Sequence, residues 1–260
     1  MARIQELFDL TGRVAVVTGG GTGLGLQMAT ALAESGAHVV LCARNLARCE
    51  AAAKDIAGTG PGEVLAIRCD VTSQDDTLAM AEQVMKHFGR VDVLVNNAGG
   101  SEPEATPETL SLESFKQTLD INVAGSFLCA QALGRHMIAQ KSGRIINIAS
   151  LSGLKGKNPK VKNTMAYGVA KGAVISFTRD LAVKWAQHNI RVNAIAPGIF
   201  RTKRNAARFD ARRELLVAEN PLHIAGGDDD MKGLVVYLAS DASRFMTGAI
   251  IPLDGGATAW

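Results

Sequence analysis

Tyr167 and Lys171 stand four residues apart in YGVAK, where a long helical pattern begins. That spacing puts both side chains on one helix face, a turn apart. An ammonium beside a phenol favours the phenolate, so this tyrosine is a candidate proton donor and acceptor near neutral pH. The only other tyrosine, Tyr237, has no lysine at that spacing. Ser150 closes INIAS, where a strand's carboxyl end would offer its hydroxyl to a substrate oxygen. Asn122, in LDINVAG, lies inside a helical pattern that asparagine disfavours, which marks a kink or a polar task. Ser150 and Asn122 each also fit a purely structural role.

A glycine-rich turn, Thr18-Gly19-Gly20-Gly21-Thr22-Gly23-Leu24-Gly25, joins the first β-branched run to a helical pattern. A strand, such a turn and a helix start aim backbone N–H groups at a pyrophosphate, and Gly19, Gly23 and Gly25 follow G-x-x-x-G-x-G. About twenty residues on, a site for an unphosphorylated ribose offers a carboxylate. Here the sequence reads Cys42-Ala43-Arg44-Asn45, and a guanidinium suits a 2′-phosphate. The expectation is NADP(H) over NAD(H), with NAD(H) possible. Asp70-Val71 offers a carboxylate and adjacent backbone to an adenine edge, and Asn96-Asn97-Ala98-Gly99 reads either as a site turn or as a plain loop.

These residues need a scaffold. Apolar, β-branched runs at 13–18, 38–43, 64–69, 91–96, 144–149 and 191–196 read as strands buried on both faces, and 248–254 supplies a seventh. Between them, 24–35, 46–56, 74–87, 112–140 and 165–188 have helix length and mixed polarity. Such alternation predicts an α/β fold: a doubly wound parallel sheet with helices on both faces, as one domain over residues 1–260. Its ligand belongs at the carboxyl ends of the strands, where the candidate residues cluster.

Composition narrows the function classes. Hydrophobic residues are 47% and charged residues 20%, which excludes a disordered chain. A net charge of +3 gives no general nucleic-acid affinity. Cys42, Cys49, Cys69 and Cys129 form no CxxC pair and have no histidine at metal-ligand spacing, so buried free thiols and no metal are expected. MARIQELFDLTGR carries charges where a signal peptide needs an apolar core, and no apolar run reaches membrane-spanning length. A soluble, cytoplasmic protein without membrane contact is the expectation.

Taken together, TGGGTGLG, Asp70, NNAG, Asn122, Ser150, Tyr167 with Lys171, and PGIFRT (197–202) resemble the short-chain dehydrogenase/reductase family, from about residue 10 to 256. The resemblance implies a Rossmann sheet of order 3-2-1-4-5-6-7, a nicotinamide cofactor and a homotetramer. It implies that Tyr167 is the general acid/base and that Lys171 binds the nicotinamide ribose and lowers the tyrosine's pKa. Ser150 would orient the substrate oxygen, and Asn122 would position a proton-relaying water. It also implies cofactor contacts for Gly21, Thr22, Leu24, Asn96, Ala98 and Gly99, and for Pro197, Gly198, Ile199 and Thr202 near the nicotinamide. Within the family, the tail LASDASRFMTGAIIPLDGGATAW resembles gluconate 5-dehydrogenases and 3-oxoacyl-[acyl-carrier-protein] reductases. Two features depart from the pattern. The Ser150–Tyr167 interval is about four residues longer than usual, through KGKNPKVKN (155–163). Thr22 stands where some NADP-preferring members carry a base.

Charge is unevenly spread. Residues 154–213 hold 14 Lys/Arg against Asp180 and Asp210, leaving the other 200 residues at a net −9. Lys155, Lys157, Lys160 and Lys162 precede Tyr167. Arg201, Lys203, Arg204, Arg208, Arg212 and Arg213 fall in the segment 200–222, where the family has its substrate lid. Basic walls concentrate anions, so a sugar acid, another carboxylate or an acyl thioester is the expected substrate class. Solvated surface charge explains the same residues equally well. The competing function, a cofactor-sensing Rossmann protein without turnover, has no use for the Asn, Ser, Tyr and Lys set.

Overall fold

The inner strands are apolar nearly throughout because both of their faces meet a helical layer, whereas the two edge strands, Val64–Arg68 and Ile250–Leu253, are only partly buried. The computed structural model describes residues 2–158, 163–203 and 205–260. In chain order the elements are α1 (Ile4–Phe8), β1 (Val14–Thr18), α2 (Gly23–Glu34), β2 (His38–Ala43), α3 (Leu46–Ile56), β3 (Val64–Arg68), α4 (Gln74–Phe88) and β4 (Val93–Asn96). There follow α5 (Leu112–Leu119), α6 (Gly125–Gln140), β5 (Gly143–Ile148), α7 (Met165–Trp185), β6 (Ile190–Pro197), α8 (Ala206–Ala211), α9 (Arg213–Val217), α10 (Lys232–Ala239) and β7 (Ile250–Leu253). The strands pair in parallel in the order β3-β2-β1-β4-β5-β6-β7, which is the order the family resemblance implies.

Strand alternation divides the core. Ala15, Val17, Val39, Leu41, Val93 and Val95 face the layer containing Met28, Leu32, Ile56 and Leu238. Val14, Val16, Val40, Leu94 and Ile145 face the other, with Met80, Val84, Leu133 and Met137. Period two on the strands and two helical layers therefore account for the same residues. All four cysteines are buried free thiols, as expected. Among the described residues, no helix is long and apolar enough to cross a membrane.

The expected helix over 112–140 is interrupted by a π-helical segment, Asp120–Ala124. The Asn122 amide donates to the Thr118 carbonyl four residues back (2.8 Å) and to Gly100 O (2.7 Å). A side chain thus takes a carbonyl that helical backbone would use, and the Gly125 N–H bonds Asp120 O, five residues back. Between β6 and α10, the segment 200–222 folds into the short helices α8 and α9, too short and polar to show as periodicity in the sequence.

Candidate active site

The carboxyl ends of β1, β4, β5 and β6 open into a cleft of about 660 Å³. On one wall, Gly19, Thr22, Gly23, Leu24 and Gly25 lead from β1 into α2. Gly23 sits at φ +56°, which side-chain-bearing residues rarely adopt. At Gly25 the limit is space, because a Cβ would lie 2.5 Å from Asn97 Nδ2. Asn97 clamps this turn, donating from its amide to Thr18 O (2.8 Å) and Gly19 O (3.2 Å). The Thr18 hydroxyl accepts the N–H groups of Asn97 and Ala98, both at 2.9 Å. The glycine turn and the β4 turn are therefore one unit, a backbone cradle that a side chain would fill. A pyrophosphate suits such a cradle.

Across the cleft lie Asn122, Ser150, Tyr167 and Lys171, brought together from the π-helical segment, the end of β5 and α7. Tyr167 and Lys171 share one face of α7, with Lys171 Nζ 5.6 Å from the centre of the tyrosine ring. Lys171 is only 5% exposed, and its ammonium donates to Ile148 O at 2.7 Å. Burial pulls its pKa down to about 8. Ser150 follows β5 and caps the 3₁₀ turn Leu151–Gly153, its hydroxyl accepting the Ser152 N–H at 3.2 Å.

Asn122 is fully buried, and its Oδ1 has no hydrogen-bond partner among the described residues. A Cβ on Gly99 would meet that oxygen at 2.5 Å and Lys171 Nζ at 3.5 Å. An orphaned acceptor and an ammonium thus flank one point beside Gly99, where glycine leaves room.

Pro197, Gly198, Ile199 and Thr202 line the β6 side, and Ala98 and Gly99 the β4 side. Five sequence candidates lie off the cleft wall. Asn96 ends β4 with its side chain turned into the sheet, donating to Asn147 Oδ1 (2.9 Å) and Ser126 O (3.2 Å); its neighbour Asn97 faces the cleft instead. Val71 packs against Gly125, and Gly21 against Cys49 on α3. Asp70 receives the N–H and hydroxyl of Thr72 at 3.0 and 2.8 Å. Partial burial pushes its pKa up, but those bonds and the charges of Arg44 and Arg68 outweigh it and hold the carboxyl low. Arg44 is exposed just beyond β2, with Asn45 capping α3 next to it.

Sequence reasoning missed Glu102. It is 6% exposed, in the loop after β4, and accepts the Tyr167 N–H through both carboxylate oxygens, at 3.1 and 3.3 Å. Thr164, the residue before α7, makes no side-chain cap, so Glu102 supplies one from 65 positions away. A carboxylate shortly after NNAGG was the only available signal.

The basic segment does not form a single rim. Lys155, Lys157 and Arg208 reach the cleft, together with Glu219. Lys157 Nζ lies 4.9 Å over the Tyr167 ring and donates to Thr164 Oγ1 at 3.0 Å. Lys155 is held by Ala257 O. On the segment 200–222, Arg208 pairs with Glu104 and Arg201 with Asp210 (2.8 Å). Arg191 lies at the other edge of the sheet. Lys160, Lys162 and Arg204 fall outside the described residues.

A family model described as Enoyl-(Acyl carrier protein) reductase matches residues 19–258. Galactitol 2-dehydrogenase of Rhizobium johnstonii is 39% identical over 260 residues, covering 98% of this chain and 99% of its own. A solved short-chain type dehydrogenase/reductase from Mycobacterium marinum superposes with a TM-score of 0.93 at 40% identity, covering 98% and 99% of the two chains. A Beutenbergia cavernae protein, assigned as an NAD(P)-dependent gluconate 5-dehydrogenase and carrying NADP at low occupancy, superposes at 0.89 with 37% identity, covering 98% and 100%. With a family match over most of its length and relatives of this similarity from end to end, the chain belongs to the short-chain dehydrogenase/reductase family, as an oxidoreductase of the alcohol–carbonyl pair.

Proposed function

We propose that this enzyme interconverts a secondary alcohol and its carbonyl with NADP(H), on an anionic small molecule such as a sugar acid or an acyl thioester. The observation that carries the reaction is the Tyr167–Lys171 face of α7, set with Ser150 on a cleft whose far wall is the glycine cradle. Nicotinamide, when bound, supplies or accepts the hydride. Tyr167 Oη gives its proton to the carbonyl oxygen in reduction and takes it from the alcohol in oxidation. Ser150 Oγ holds that oxygen in line. The Lys171 ammonium, in a dry site, stabilises the phenolate that forms. Asn122 Oδ1, without a partner among the described residues and beside the ammonium, receives the water through which Tyr167 recovers its proton.

The cradle at Gly19–Gly25 fits a pyrophosphate, with Ala98 and Gly99 on the adenosine side and Pro197, Gly198, Ile199 and Thr202 toward the nicotinamide. Arg44 beyond β2, with no acid in Cys42–Asn45, supports a 2′-phosphate there. Lys155 and Lys157 on the cleft support an anionic substrate. A homotetramer accompanies this reading, supported by the exposed apolar Phe127, Val169 and Val183 on α6 and α7 and read by light scattering. The decisive screen follows NADPH and NADH oxidation with keto acids, keto sugars, acetoacetyl thioesters and neutral ketones. A tenfold or greater preference for NADH, or for neutral ketones, overturns the corresponding part of the proposal.

A further inference from the structure

At the amino-terminal edge of the sheet, opposite the cleft, lies a second hollow of about 460 Å³. Arg13 precedes β1, Arg90 precedes β4, Arg144 and Arg191 start β5 and β6, and Arg244 ends the 3₁₀ turn Asp241–Ser243 after α10; all five line it. Asp92 and Asp241 are the carboxylates on its wall, leaving an excess of three positive charges.

Both carboxylates are already engaged. Asp92 takes the Arg90 fork at 2.8 and 2.7 Å and the Val14 N–H at 2.9 Å. Asp241 is divided between Arg13 (2.8 Å) and Arg144 (3.0 Å). Among the described residues Arg191 finds only neutral acceptors: Arg244 O at 2.5 Å, and Asn189 O and Oδ1 at 3.3 and 2.8 Å. The exposed Arg244 guanidinium makes no hydrogen bond or ion pair among the described residues.

Strand register adds to the crowding. Arg144 and Arg191 are direct partners across β5 and β6, a placement that is unfavourable for like charges. Arg144 is 5% exposed, and its Nε is buried without a partner among the described residues. Burial first, then the charges of Arg191 and Arg13, bring its pKa down to about 10. A buried, incompletely paired guanidinium among like charges is costly in the free protein. Planar guanidinium forks match the oxygens of a tetrahedral oxyanion, which would offset that cost.

We propose that this hollow is a binding site for a multiply charged, phosphate-type oxyanion, held by Arg191 and Arg244 with Arg13 and Arg144 behind them. The site is independent of the catalytic cleft and of the substrate acting there. Calorimetric titration of the full chain in chloride buffer, with inorganic phosphate in one series and tripolyphosphate in another, tests it. We expect saturable binding of at least one of the two, weakened about tenfold or more by Arg244→Glu and by Arg191→Gln and retained in Arg44→Gln. Because the Arg244 side chain is exposed and unpaired, Arg244→Glu without ligand should melt at or above the wild type. A lower melting temperature contradicts the charge crowding on which the site rests. No saturable binding at millimolar ligand overturns the proposal. So does binding that survives Arg244→Glu, or binding that Arg44→Gln removes instead.

Discussion

The Glu102 carboxylate grips the backbone N–H of Tyr167 with both oxygens, so a loop after β4 fixes the first turn of the helix that carries the proposed acid. Negative charge at a helix amino terminus also opposes the helix dipole favourably. Glu102→Ala leaves that N–H unpaired and should cost about 1–2 kcal/mol of stability. It should lower kcat by about tenfold or more, with a smaller change in KM, because the tyrosine loses its set position. Glu102→Gln keeps an acceptor and should recover most of both. Chemical denaturation and steady-state kinetics check this pair, and a kcat unchanged in the alanine variant removes the positioning role.

Lys171 makes a pH-dependent contribution whose sign is fixed by its burial. Its pKa is about 8 in the folded protein, against 10.5 for an unburied lysine. Below pH 8 both folded and unfolded chains hold the proton, and burying the charge opposes folding in full. Between those values the unfolded chain retains a proton that the folded one has released, so stability rises with pH. Relative to Lys171→Met, the wild type without cofactor should gain about 3 kcal/mol across that window. Parallel pH-dependent denaturation curves for the two proteins would refute the shift.

Lys157 brings a second cation to the tyrosine, from the lengthened interval between Ser150 and Tyr167. Around the ring, Lys157 and Lys171 favour the phenolate, while Glu102 meets the backbone of the same residue. In Lys157→Met, the acidic limb of alcohol oxidation, where the phenolate base is lost, should move up by about 0.5–1 pH unit, a modest effect because the lysine is only half-buried. The KM of an anionic substrate should rise more than that of a neutral one. The pH profile of kcat/KM, measured on one substrate of each charge type, separates the two effects.

Much of this molecule was legible from its residues. Strand 38–43 announces itself because it is largely buried and nearly every position is apolar; 64–69 reads the same way, although as the edge strand β3 it is only partly buried. Tyr167 and Lys171 are legible because four residues are one helical turn. What the residues did not show has particular physical causes. Asn96 and Asn97 differ by one position, and strand alternation sends their side chains to opposite sides. The break in 112–140 comes from the Asn122 amide reaching Gly100, a contact 22 residues away. The Glu102 cap spans 65 residues and has no periodicity to betray it. Charge counting joined Arg191 to Lys157 in one stretch, yet β6 carries the former to the opposite edge of the sheet.

If Tyr167 moves the proton while the cradle holds the cofactor independently, one substitution separates the two. Tyr167→Phe removes one hydroxyl from the cleft and leaves Gly19–Gly25, Asn97 and Lys171 in place. Turnover and NADPH affinity should be measured together on that variant, by steady-state kinetics and fluorescence titration. We expect a loss of kcat of about 10²–10⁴-fold with a cofactor Kd within about threefold of the wild type. Turnover that survives the substitution undiminished would contradict it.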